Sequence, residues 1–399
     1  MTTTPFASFA SYVTDPLPRR PRVLPGLPVL RRAAGEAQIG TDPRHAVVVT
    51  DVPEPVVRLL HGLDGRLTAD ELLARAGPDH RRALRGVLAG LAGLGLVDDA
   101  EPSVASPAVG GLARLVADRT AWMLRGGSRY SALSRLRDRA VVVVQGSGRI
   151  AVAVATLLAA SGVGWVHTVA GGVVQPEDTG SGYLDEDIGH ARAEAAERAV
   201  RRIAPATRTG PPSPRQPPDL VLLTDATVAD PAVSAGLAAA GVPHLMVHAA
   251  EGTGVVGPLV VPGRTSCLRC VDLHNTDVDP CWPALAAQLA DHPRPADLAS
   301  AQATAAFSAG QALRFLHGSS AGRDDLPVWG AAVEIDVFTG RCTRIEWRPH
   351  ARCPCGVAAQ DAHQGLRRAD NVAGGGFDIR RTAEGTPGDD PLATAIGED

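Results

Sequence analysis

Residues 140–151 read Ala-Val-Val-Val-Val-Gln-Gly-Ser-Gly-Arg-Ile-Ala, and an apolar helical pattern follows over 152–161. A continuous apolar strand, a Gly146-x-Gly148-x-x-Ala151 turn, a helix and a second strand pattern over 162–169 form a βαβ unit. A strand apolar on both faces must be covered by helices on both sides, so this segment restricts the fold more than any other. The strand pattern returns at 219–224 and ends at Asp225, and a helix over 231–240 and a strand over 243–249 continue the alternation. The expected class is α/β, with a Rossmann-like, mostly parallel sheet.

Ahead of this domain lies a different pattern. Residues 1–21 are polar and broken by proline, which predicts a flexible N-terminus. Two β-like runs, 28–39 and 46–52, flank the turn signal Thr41-Asp42-Pro43. A helix over 53–63 carries Val56, Val57, Leu59 and Leu60 on one stripe. Thr68-x-x-Glu71 reads as a capping box opening a second helix. A third, over 79–94, places Leu84, Val87, Leu88 and Leu91 at helical spacing. Strands and short helices in this number suit a small winged-helix-like α+β module over 22–100. A helical linker over 101–138 follows, then the α/β domain over 139–356. Residues 357–399 lack periodicity and are expected to be a disordered tail.

Composition removes several chemistries. All 39 basic residues are arginine and none is lysine. No Walker-A lysine, Schiff-base lysine or pyridoxal-phosphate anchor is therefore available. A GC-rich genome, favouring Arg, Ala, Gly and Pro codons, accounts for the bias without altering that exclusion. A net charge of −4 and a pI near 6.3 argue against a general nucleic-acid binder. No apolar run reaches the roughly 18 residues of a membrane span, and the first residues lack a signal-peptide pattern. Six clustered cysteines fit a metal site in a cytoplasmic protein better than a disulfide scaffold.

Two motifs carry the candidate chemistry. At the turn, backbone N–H groups of Gly146, Ser147, Gly148 and Arg149 can approach a phosphate at a helix N-terminus. The same glycines also suit a turn that merely retains its shape. The acid that would hold a ribose after the second strand is missing, because that strand ends Val169-Ala170-Gly171-Gly172. A NAD-dependent dehydrogenase is thereby disfavoured. Cys267-x-x-Cys270 and Cys353-x-Cys355 form two tight pairs, a donor set for one tetrahedral structural zinc. Cys342 reads as an ordinary strand residue, and Cys281, in a Pro-Cys-Trp-Pro loop, as a free thiol that is either reactive or inert.

The strand–GxG–helix unit, Thr224-Asp225-Ala226, Cys267-Leu-Arg-Cys270 and Cys353-Pro-Cys355-Gly356 together resemble the ThiF/MoeB/E1-like adenylyltransferase superfamily over residues 138–357. The helix over 300–315, closing at His317-Gly318, resembles the family's helix after its crossover loop. The 22–100 module resembles the leader-peptide-binding domain of cyclodehydratase partner proteins in azoline peptide biosynthesis. That likeness rests on residues 64–72 and 94–99.

The resemblance implies an E1-like protein that binds a precursor leader peptide and partners a YcaO-type ATP-dependent enzyme. A homodimer is implied with it. Gly146 and Gly148 match the family's phosphate turn, and Arg149 stands where glycine is usual. Asp225 matches the acid that contacts Mg-ATP, although a helix cap explains it as well. Arg192 replaces a phosphate-contacting lysine, and Cys281 lies near a sulfur-handling cysteine of active members. Ala170 and Gly172 stand where the family has carboxylates, and 175–178 lacks its Asn-x-x-Arg. Adenylation needs oriented cations and metal at the α-phosphate. The expectation is a degenerate ATP/Mg site serving recognition; the alternative is a working ThiF-type adenylyltransferase that forms an acyl-AMP on a carrier.

Overall fold

The computed structural model describes residues 2–5, 16–100, 114–126, 130–290, 295–318 and 325–355. The tail expected over 357–399 lies outside the described residues, as do 6–15 and 101–113.

The N-terminal part holds strands β1 (Thr2–Pro5), β2 (Pro21–Val23), β3 (Val29–Arg31), β4 (Ala37–Ile39) and β5 (Val47–Thr50). A four-stranded sheet runs β1-β5-β4-β3. The run expected over 28–39 is therefore a hairpin, with Val29 opposite Ile39. Helix α1 (Glu54–Leu60) follows the N-cap Pro53 and carries Pro55 in its first turn, where the missing N–H has no helical partner to lose. Helix α2 (Ala69–Gly93) opens with the expected capping box: Glu71 N–H donates to Thr68 Oγ1 at 3.2 Å, and Thr68 N–H to Glu71 Oε2 at 2.7 Å. The second and third expected helices run into one another through a kink at Gly77-Pro78, where Gly77 has φ of 75°. Strand β6 (Val97–Asp99) pairs antiparallel with β2. Ile39, Val49, Val56, Leu84 and Leu88 centre a core of their own.

Residues 2–5 differ from the expectation of a loose N-terminus. They lie parallel to β5, with Thr2 opposite Val47 and Pro5 opposite Thr50. Pairing with a strand more than forty residues away leaves no periodic trace in four residues.

Helices α3 (Val116–Gly126) and α4 (Tyr130–Arg139) connect to the second part. Helix α3 serves two cores: Leu124 packs against the N-terminal one and Trp122 against the next. Thr120 Oγ1 donates to the Pro25 carbonyl, and Arg119 pairs with the buried Asp98.

The second part contains β7 (Val141–Gln145), α5 (Arg149–Ala160), β8 (Trp165–Val169), α6 (Arg192–Ile203), β9 (Leu220–Thr224), α7 (Pro231–Ala239), β10 (His244–Ala250) and β11 (Thr253–Val260). It continues with α8 (Leu268–Val278), α9 (Trp282–Ala290), α10 (Leu298–Leu316), β12 (Ala331–Asp336) and β13 (Arg341–Glu346). Its seven-stranded sheet runs β13-β12-β11-β10-β9-β7-β8. The expected parallel unit is β8-β7-β9-β10, and β11 to β13 extend it antiparallel. Helix α5 begins at Arg149, three residues before the expected start, because Gly148 itself is the N-cap. Packed on the sheet beside α10, it buries Ile150, Val154 and Leu158. The chain leaves β7 for β8 on one side and β9 on the other. Such a switch point opens a crevice at the strands' carboxyl ends.

Candidate functional site

The crevice is a cavity of about 300 Å³ above β7 and β9. Gly146, Ser147, Gly148, Arg149, Arg192 and Asp225 all line it, together with Glu177, Asp178 and the loop residues Pro295 and Ala296. Every residue expected at the nucleotide site thus meets in one place, except Cys281. Cys281 is exposed just before α9, its N–H donating to Asp279, and does not line the cavity.

Asp225 occupies the position where an anion would sit. It adopts φ of 71°, and its carboxylate accepts the Gly148 N–H at 2.9 Å, the Thr224 hydroxyl at 3.0 Å and the Ser147 N–H. The carboxylate therefore caps α5, from a neighbouring strand; α7 has its own cap in Asp230. Desolvation nevertheless outweighs these donors and raises the Asp225 carboxyl above the usual aspartate range. Gly146 is glycine because a Cβ there would overlap Thr224 Oγ1 and the Asp225 carboxylate.

Both cavity arginines are engaged. Arg192 donates from Nε (2.9 Å) and Nη2 (2.7 Å) to one Asp178 oxygen, and from Nη1 to the Gly171 carbonyl. Asp178 also accepts the Gln175 N–H at 2.8 Å, fixing the short 3₁₀ turn Pro176–Asp178. Arg149 reaches away from the turn, donating to the carbonyls of Thr179 and Ala296 at 3.1 and 2.9 Å. It ties two loops over the cavity. Ser147 Oγ accepts the Gly171 N–H at 3.1 Å. The buried Tyr183 hydroxyl lies 3.4 Å from the Ser147 carbonyl and 3.5 Å from that of Arg192, and burial drives it upward in pKa.

These residues line the cavity with most of their polar groups already paired within the protein. The helix terminus carries Asp225, both guanidiniums have protein partners, and Glu177 and Asp178 add negative charge. Sequence reasoning missed Asp178 as the partner of Arg192 and Tyr183 as the brace beneath the turn. Their signal was local: a proline-started 3₁₀ turn and one tyrosine directly after Gly182.

The four knuckle cysteines also converge, their sulfurs lying within 4.8 Å of one another. Cys267 to Cys353 is 3.5 Å, and Cys267 to Cys270 and Cys270 to Cys355 are each 3.7 Å. Tetrahedral zinc with Zn–S near 2.3 Å would place sulfurs about 3.8 Å apart, so the donor set and spacing fit a metal ion. His350 supports the cluster. Its carbonyl accepts the Cys353 N–H at 2.9 Å, its N–H reaches Cys270, and its ring Nε2 lies 2.8 Å from Asp277.

The ThiF family model matches residues 126–356. No curated protein sequence matches the chain. Among solved structures, E. coli MccB with MccA-N7isoASN superposes with a TM-score of 0.62 at 15% identity, covering 84% of this chain and 99% of that one. E. coli MccB with ATP gives 0.60 at 15%, with the same coverage. PaaA gives 0.59 at 18%, over 80% of this chain and 98% of its own. At these identities the likeness is one of fold. Because the family match runs through both the glycine turn and the cysteine cluster, over more than half of the residues, the chain belongs to the ThiF family.

Proposed function

We propose that the chain is a peptide-recognition partner. Its 22–100 module binds the leader of a ribosomal precursor peptide, and its ThiF domain supports a separate YcaO-type ATP-dependent cyclodehydratase. The observation that carries this reading is the Asp225 carboxylate on the Gly148 N–H, with Arg192 held by Asp178. A site whose anion position and cations are already used internally favours scaffolding over acyl-AMP formation. The fold likeness to MccB, described as a microcin C7 biosynthetic enzyme in complex with N-formylated MccA, supports a peptide partner. In the same reading, zinc holds Cys267, Cys270, Cys353 and Cys355, the protein is cytoplasmic, and it forms a homodimer. No helix among the described residues is long and apolar enough to cross a membrane.

A second reading, a working adenylyltransferase, draws on the likeness to MccB with ATP. ATP–pyrophosphate exchange with the purified chain and its neighbouring precursor peptide decides between them. Background exchange, unchanged by Asp225→Ala, is expected. Robust exchange abolished by that substitution would overturn the recognition reading.

A further inference from the structure

We propose that Thr2–Pro5 is a built-in placeholder on the peptide-accepting edge of the N-terminal sheet, displaced when an extended precursor segment adds to β5. This rests on the leader-recognition reading and names the edge and its competitor.

Strand β5 is buried on both faces, with Val47, Val48 and Val49 at 6%, 2% and 0% exposure. One of its edges pairs with β4 and the other with β1. An edge belonging to so buried a strand must be covered, because its N–H and C=O groups have little access to water. The chain covers it with a weak strand. β1 has four residues, runs parallel to β5, and ends in Pro5, which has no N–H to give. Parallel pairing is slightly less stable per residue than antiparallel. A longer peptide, entering antiparallel and supplying an N–H at every position, makes more ladder bonds on the same edge.

Strand β1 belongs to the same chain as β5, so it competes for the edge as an intramolecular ligand and returns whenever the edge is free. Binding then depends on the fraction of time β1 is off, since apparent affinity scales with the competent population.

The test uses the full chain, a Thr3→Pro/Thr4→Pro variant, and a fluorescein-labelled synthetic leader of the precursor peptide encoded nearest this chain's gene. A deletion of residues 2–5 serves as a second variant should the double proline disturb folding, which circular dichroism checks. Hydrogen exchange at 47–50 should quicken in the unliganded variants, and fluorescence polarisation should show them binding the leader about tenfold tighter, as expected if β1 is off about a tenth of the time. Equal leader affinity in all three proteins, with exchange at 47–50 unchanged, overturns the placeholder and leaves leader recognition standing. Absence of binding to every one of them overturns leader recognition itself and the competition with it.

Discussion

Asp225 joins three roles that usually belong to separate residues. It caps α5, occupies the glycine turn, and carries a carboxyl that burial raises above its ordinary range. For an acid whose folded pKa exceeds its unfolded value near 3.9, ionisation opposes folding as pH rises through and beyond that value. Asp225→Asn should therefore gain stability relative to the parent as pH rises from about 4 to 7, and lose that advantage below about 4. Paired thermal melts across this range read it directly; a difference in Tm that stays constant with pH would contradict the assignment. Two histidines, the buried His317 and the half-buried His248, work in the same acid range but with the opposite sense. His248 and His317 are each lowered to about 4 by desolvation, so their neutral forms support the fold until pH falls below about 6.5.

At the scale of elements, the βαβ unit was the most legible feature, because a run such as Val141–Val144 cannot be solvated on either face. The capping box at Thr68 was equally legible, since both of its bonds lie within four residues. The antiparallel extension β11–β13 was not, apart from the strand residue expected at Cys342. Strand β13 is exposed at Arg341, Cys342, Thr343 and Arg344, so no apolar alternation marks it. The site divided in the same way. Its turn was found from local pattern, and Asp225 and Arg192 from the family resemblance, whereas the Arg192–Asp178 pair depends on a loop whose path the sequence does not encode locally. The cysteine cluster joins the start of α8 to the segment after β13. Removing its metal should loosen that whole corner. Metal analysis of chelator-free protein should find about one zinc per chain. Chelation, or Cys270→Ser, should lower Tm by roughly 10 °C. Metal-free protein with an unchanged melt would reject the assignment.

Across the whole molecule, α3 is the member that both cores share. Trp122 stacks edge-on against His317 at 4.4 Å, and the Arg137 guanidinium lies 5.1 Å from the Trp122 ring. Arg137 in turn donates to His317 at 2.7 Å and to the Ser161 carbonyl at 2.9 Å. The same helix holds Pro25 and Asp98 of the N-terminal part. The two parts should consequently melt in one calorimetric transition. Trp122→Ala, which removes a half-buried aromatic at a cost of about 2 kcal/mol, should split that transition in two. A single unsplit peak would show that they are coupled elsewhere.

The nearness of the four sulfurs also has a chemical side. Cys267 and Cys353, whose sulfurs are 3.5 Å apart, are close enough that, whenever no metal is held between them, an oxidant can couple them into a disulfide. Such a bridge would remove two of the four donors and leave the site unable to reload. Metal loss in air is then a one-way event, and a thiol reductant, more than added metal, decides whether stripped protein recovers.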